Sequence, residues 1–420
     1  MAINDSSSLS SLFKEVYGNV TNLLPDFAKI QKGTKFISAE KQNGLQFTFP
    51  LLNSYENSVT FASPDSGLFS LEPINGMATS RVQVKGSNLL LRAGIDNETL
   101  ARSSNSRSAF AKATSTVVDN LMQSGASFIE SLILYGESPS GLGTVDGYTS
   151  VSSTRVILHF TPASFAVGIW NGRINAKLEL YDTTGTNKQG GANSYFTIVS
   201  VDSVNSKITV DGDASASITD IKTYLDSNDC SVFWKGSRNN SMNGLDRLIT
   251  NTGTIYNVDA GAVDLWKGNT YSVSGTLTQT KINLGIAQAV NKGLTDSATL
   301  YVSTSTFMNL ISDQSALRVY DSSYSGKTFE NGATKLMFNA PNGVITIEVH
   351  PMVKPSEAFL VPKDKLLRIG ASDFSFNYGG NDEYMFPIAD KAGKEIRLFT
   401  NQGLVATTPA QFVKYTNITV

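Results

Sequence analysis

Between residues 105 and 135, apolar side chains return every three or four positions: Phe110, Val117, Leu121, Phe128, Leu132 and Tyr135, with Thr114 in the same series. That spacing predicts one amphipathic helix, about 46 Å long at 1.5 Å per residue. Asn105 or Ser106 can cap its start and Gly136 ends it. Phe110, Val117, Leu121, Phe128 and Leu132 are its expected core residues. Gly125 falls on or beside the stripe, where it lowers helix propensity by about 1 kcal/mol relative to Ala, so a kink or a close neighbour is expected there. A helix this long with a single apolar face is a spine against which a sheet or other helices must lie.

Before the helix the pattern is different. Leu9, Leu12, Phe13 and Val16 read as a short helix over 9–17 closed by Gly18, and an extended stretch follows with Pro25 and Gly33. From 44 to 91 the period is two. Phe47, Phe49 and Leu51 alternate with Gln46, Thr48 and Pro50, and Val59 with Phe61, Val82 with Val84 and Leu89 with Leu91 come later. Asn53-Ser54, Pro64-Asp65-Ser66-Gly67, Asn75-Gly76 and Lys85-Gly86 supply turns. The reading is a long β-hairpin with an elaborated tip. Isolated hairpins are marginal in water, so this one must lean on something, and Leu51, Val59, Phe61, Leu68 and Phe69 are its candidate contact residues.

After the helix, 138–153 reads as a Ser/Gly loop and 156–160 as a strand entering the core, with a short helix at 165–170. Strands at 176–181, 195–201, 207–210 and 231–234, separated by loops of Gly, Asn, Thr and Gln, suggest a small barrel or sandwich inserted into a larger domain. The last part alternates without a regular βαβα rhythm. It has helices at 282–291 and 304–312, the second capped by Ser303, and strands at 300–302, 343–350, 359–361, 366–369, 397–400 and 403–407 that complete a sheet. The fold class is α+β, and 420 residues allow two to three subdomains.

Composition excludes several functions. Charged residues are only 17 % of the chain and the net charge is −2, so a protein that tracks nucleic-acid phosphates is not expected. Cys230 is the only cysteine, and His159 and His350 the only histidines. An intrachain disulfide is impossible and a thiolate cluster is excluded, so no metal or cofactor is expected. Cys230 reads as a small buried residue and His159 as a hydrogen-bonded boundary residue. Gly141-Leu142-Gly143 with Gly147 has the wrong spacing for a dinucleotide loop. Asp202, Asp211 and Asp213 lack the order of a calcium loop, and Asp382–Glu383 are adjacent and diverge in a strand. No catalytic residue is assigned. Residues 1–11 are polar and no apolar run reaches about 18 residues, so a chain without leader or membrane span, made in a reducing cytoplasm, is expected.

The order of these pieces resembles the major capsid proteins of tailed bacteriophages, the Hong Kong 97-type fold. Leu12-Phe13-Lys14-Glu15-Val16-Tyr17-Gly18, Asn243-Gly244-Leu245-Asp246-Arg247-Leu248 with Asn251-Thr252-Gly253-Thr254, and Tyr301-Val302-Ser303 leading to Phe307 carry the likeness. The resemblance implies an N-terminal arm (1–35), an E-loop hairpin (36–95) and a peripheral domain with the spine helix (96–170). A β-rich insertion domain (171–241), an axial domain (242–341) and remaining peripheral and axial strands (342–420) follow. The strand 156–160 and strands after Gly343 would complete the peripheral sheet. The implied function is a structural subunit that assembles with itself, as hexamers and pentamers, into the icosahedral head. Its place is the virion, assembled in the bacterial host cytoplasm. Implied partners are a separate scaffolding protein, a portal, a decoration protein and packaged DNA bound without sequence specificity, with no membrane. Lys85 lies in the candidate loop without a partner, and no cross-link is expected. A phage tail-tube or other self-assembling structural protein is the alternative, though it does not account for a spine helix after a hairpin. A carbohydrate-binding or hydrolytic surface protein would account only for the insertion.

Overall fold

The computed structural model describes residues 26–38, 46–97, 107–318, 335–340, 343–376 and 385–419, with the side chains of 107–115, 313–318 and 335–340 outside that set. The expected helix 9–17, the segment 12–18, the caps Asn105 and Ser106, the pair Asp382–Glu383 and the side chains of Phe110 and Thr114 therefore lie outside the described residues.

The spine helix runs Arg107–Tyr135, about 43 Å by its rise. Its middle third packs on a five-stranded sheet. Val117 and Leu121 are buried with Ile95, Ile396 and Leu398, which lie on strands Ser87–Asp96 and Gly393–Ala406. Gly125 allows this contact, because a Cβ there would stand 2.8 Å from Leu398 and 3.0 Å from Phe374. Towards its C-terminus the helix is enclosed on more than one side. Ile129, Ile133, Leu134 and Tyr135 are buried, whereas the expected Phe128 and Leu132 are half-buried at the edge of the same core. The stripe thus widens where a second body closes over the helix.

Strands Ser87–Asp96 and Gly393–Ala406 pair over ten residues, so Leu89 and Leu91, expected in the hairpin, belong to this sheet instead. The segments 397–400 and 403–407 form one continuous strand. Lys35–Ile37 adds in parallel to Leu366–Ser375. Upstream, Lys29–Gly33 is a short helix rather than extended chain, because the Glu130 carboxylate accepts the N–H groups of Ile30 and Gln31 at 2.7 and 2.8 Å.

The β-rich region is a closed six-stranded barrel, in the order Cys230–Trp234, Thr144–Ser150, Arg155–Phe160, Lys207–Gly212, Phe196–Asp202 and Lys177–Asp182. Val156, Leu158 and Phe160 point inward and Arg155, Ile157 and His159 outward, the alternation of a one-sided strand. Two expectations are corrected here. Arg155–Phe160 pairs with Lys207–Gly212, not with the peripheral sheet, and residues 144–150, read as loop, form the strand that closes the barrel. The barrel therefore begins near 144, not 171. The entering and leaving chains lie together, since the Leu142 N–H donates to the Val232 carbonyl (2.8 Å) and the Val232 N–H to that of Gly143 (3.0 Å).

Six further strands form a second sheet rather than completing the first. Its order is Asn269–Gly275, Val413–Ile418, Ala358–Val361, Ala298–Val302, Gly343–Val349 and Lys335–Ala340. Ala298–Val302 and Ala358–Val361 are buried throughout, as central strands must be. Helix Gln279–Asn291 covers the sheet with Ile282, Ile286 and Ala289, and Thr304–Arg318 with Phe307 and Leu310. The Ser303 hydroxyl accepts the Thr306 N–H at 3.3 Å, the expected cap.

Candidate interaction site

The hairpin pairs Phe47–Leu52 with Thr79–Val84. Its base belongs to the body: Val82 and Val84 are buried with Val258, Trp266, Ile369 and Val405, and Phe47, Phe49 and Leu51 pack on them. Leu51 was expected to face a neighbour. Strand alternation puts it on the same face as Phe47 and Phe49, and Leu52 is the residue that turns outward. Lys85 is exposed at the turn joining the base to Ser87–Asp96, away from the tip.

Beyond Leu52 and Thr79 the backbone ladder ends with one more bond, from the Asn53 N–H to the Ala78 carbonyl at 2.8 Å. Side chains spaced two apart on one leg then accept backbone N–H groups from the other: Ser54 from Ala78 (2.9 Å), Glu56 from Met77 (3.3 Å), Ser58 from Asn75 (2.7 Å) and Thr60 from Glu72 (2.9 Å). These polar rungs hold two extended legs side by side without an apolar filling. The apolar side chains are left outside. Phe61 and Ile74 are each 92 % exposed, Leu68 is fully exposed, and Tyr55, Val59, Phe69 and Leu71 are more than half exposed. So many large apolar groups on one extension are more than a monomer's surface ordinarily exposes in one place.

The chemistry-bearing residues occupy structural roles. Cys230 is buried in a barrel strand, and burial pushes its thiol up to about 12, which leaves it a poor nucleophile. His159 bonds the Thr149 hydroxyl at 2.8 Å; burial, aided by Lys207, lowers its pKa. Asp211 pairs with Arg155, and Asp202 folds its own turn through Val204 and Asn205. No group of three or more His, Cys, Asp or Glu that could hold a metal occurs among the described residues. No helix among the described residues is long and apolar enough to cross a membrane.

Two buried polar clusters escaped the sequence reading. Glu130, fully buried, receives the Lys29–Gly33 helix and also bonds His350 Nε2 at 2.7 Å. In the second, Lys414 pairs with Asp246 and, at 2.8 Å, with Glu357, while the Ser138 hydroxyl donates to Asp246. Lys354 Nζ donates nearby to the Ser140 and Gly141 carbonyls. Asp246 reaches this site because Gly244 packs against the end of the spine. The Gly244 N–H donates to the Gly136 carbonyl at 2.7 Å, and a Cβ on Gly244 would lie 2.6 Å from the Gly136 nitrogen. The sequence traces of these clusters were His350, one of the two histidines, and the Asn243-Gly244-Leu245-Asp246 segment.

A hairpin, a spine helix on one sheet, a second sheet with covering helices and a barrel inserted after the spine together form the Hong Kong 97-type fold. No family model matches the sequence, and no curated protein does. Among solved structures, the chain is similar to the capsid asymmetric unit of Cyanophage A-1(L), with a TM-score of 0.56 at 9 % identity over 97 % of each chain. The capsid of the native GTA particle gives 0.49 at 8 % identity over 100 % of both chains, and Mycobacterium phage Bobi 0.46 at 9 % over 100 % of both. At such identities the likeness to the first of these establishes the fold.

Proposed function

We propose that this chain is the major capsid protein of a tailed bacterial virus, a structural subunit that builds the icosahedral head and performs no catalysis. The observation that carries this is the hairpin tip. A body with well-filled cores extends a polar-runged arm whose apolar residues stand exposed, uncovered by the other described residues, as a subunit completed by its neighbours requires. The fold, shared with the cyanophage capsid, supports the same reading. In it, 46–84 is the E-loop, 107–135 the spine of the peripheral domain, the barrel 144–234 an insertion on the outer surface, and the six-stranded sheet the axial domain. The residues before 38 act as an N-terminal arm. Val59, Phe61, Leu68 and Phe69 contact a neighbouring copy. A scaffolding protein, a portal, a decoration protein on the barrel and DNA held without sequence specificity complete the partner set. Electron microscopy of the expressed protein tests this reading: closed icosahedral shells are expected. Tubes would point to a tail-tube protein, and persistent monomers would overturn self-assembly.

A further inference from the structure

We propose that Glu130 and His350 form a proton-gated latch: the pair holds the turn Lys29–Gly33 on the body, and release of that turn takes up one proton. The inference does not rest on the shell reading, because every group in it belongs to one chain. Glu130, on the spine helix, is fully buried, and no Lys or Arg pairs with it among the described residues. Three N–H groups compensate it instead. Ile30 donates to Oε1 at 2.7 Å and Gln31 to Oε2 at 2.8 Å, and His350 Nε2 bonds Oε1 at 2.7 Å. The Met352 N–H donates to His350 Nδ1 at 3.3 Å. Nδ1 is therefore an acceptor, the ring proton sits on Nε2, and the imidazole is neutral. The buried pair thus carries one negative charge. Each of its basic atoms, Oε1, Oε2 and Nδ1, already faces an N–H, so a further proton would set donor against donor.

Docking of the turn and protonation of the pair consequently oppose one another. When the turn leaves, two of the three donors go with it, and a buried carboxylate with one donor is costly. A proton taken up by the pair removes that charge, whichever of the two residues carries it. The state that binds the extra proton gains as pH falls, so acid opens the latch. The turn is otherwise held by the buried Ile30 side chain, by the Thr34 hydroxyl on the Ile30 carbonyl (2.7 Å) and by Lys29 Nζ on the Val349 carbonyl (2.9 Å). The other charged and titratable groups around it have partners of their own. Asp26 pairs with Lys32, which holds its carboxyl below the ordinary value. Arg368, which donates to the Thr34 carbonyl, pairs with Asp373 at 3.1 Å. Glu348 lies 3.7 Å from Lys363. Tyr301 meets the imidazole edge to face at 5.9 Å, and burial pushes its phenol up, so it stays neutral. Asp26 is the one rival acid on the segment itself.

Hydrogen–deuterium exchange of the soluble subunit tests the latch, because the amides of Ile30 and Gln31 are the ones that close it and report its opening directly. Exchange is followed from about pH 8 to about pH 5, across the ordinary His value and towards that of Glu, and corrected for the intrinsic pH dependence of amide exchange. Uptake of one proton raises the opening constant by up to about tenfold per pH unit. A several-fold rise per unit is expected at Ile30 and Gln31, with none at the buried strand Ala358–Val361. Glu130→Gln should be open at neutral pH and lose the slope, and Asp26→Asn should keep it. Should Glu130→Gln not fold, the slopes of the parent and of Asp26→Asn decide. The latch is overturned by a parent without slope or by an equal slope at Ala358–Val361. A slope that survives in Glu130→Gln, or disappears in Asp26→Asn, overturns it as well.

Discussion

At the scale of single residues, the buried charges decide how firmly the parts are joined. Asp246, Lys414, Glu357 and Lys354 bring together the segment after the barrel, the last strand and the 354–357 turn, under Ser138 at the end of the spine. Burial alone would raise the Asp246 carboxyl, but the ammonium groups of Lys414 and Lys354 outweigh it and hold it below its ordinary value. A carboxyl depressed on folding contributes stability that is fully present above its unfolded value of about 3.9 and is lost as pH falls through the folded value. Asp246→Asn should therefore destabilise the subunit at neutral pH by about 3 kcal/mol, since it leaves Lys414 buried with one partner fewer. The acid limb of its stability curve should also be flatter than the parent's. Denaturant melts between about pH 3 and 7 check both, and an unchanged acid limb would show that other carboxylates dominate it.

At the scale of elements, the spine helix shows how one stripe serves two bodies. Its middle third lies on a sheet that covers one face, and its end is wrapped by barrel, sheet and turn. Leu121 belongs to the first contact, buried with Ile396 and Leu398. Leu121→Asp sets a carboxylate there without a partner and should cost several kcal/mol, seen as aggregation or a strongly lowered melting temperature. Native-like melting would mean that this face of the helix is free. The barrel is an element of another kind. Replacing only 171–236 by a Gly/Ser linker removes four strands and leaves Thr144–Ser150 and Arg155–Phe160 paired only with each other, an isolated hairpin with its apolar inner face uncovered. That variant should be insoluble. Excision from 144 to 234 follows the hydrogen-bonded neck at Leu142 and Val232, and should give more soluble chain, although it uncovers Phe128 and Ile129.

At the scale of the whole molecule, the question is whether the hairpin serves its own chain or another. The structure divides it at Leu52 and Thr79: the base is core and the tip is not. Trimming 53–78 to a tight turn should leave the melting temperature within a few degrees of the parent and abolish closed shells. Cutting into Val82 and Val84 would instead remove buried groups worth about 1.5–3 kcal/mol each from a total of about 5–15 kcal/mol. Thermal unfolding of the subunit, paired with sedimentation and microscopy of the assembly reaction, separates the two cases. A trimmed subunit that still closes shells would refute the E-loop role.

The spine helix, the hairpin, the barrel strands from 177 onward, the helix at 282–291 and the one behind Ser303 were legible in the sequence, because each is set by local periodicity and by caps or turns a few residues away. The helix Ser215–Leu225 was missed although Ile218, Ile221 and Leu225 carry its spacing, since its neighbours Ser, Thr and Asp read equally well as a turn. The strand Thr144–Ser150 has too few apolar residues to announce itself; it exists because two barrel edges need pairing. Which sheet each later strand joins, where the barrel begins, that Leu51 turns inward, and that Glu130 and Asp246 meet partners more than a hundred residues away were decided only by tertiary structure. Local spacing fixes which face of an element is apolar. What covers that face depends on pairings between residues far apart in the chain, and a single sequence does not carry those in its periodicity.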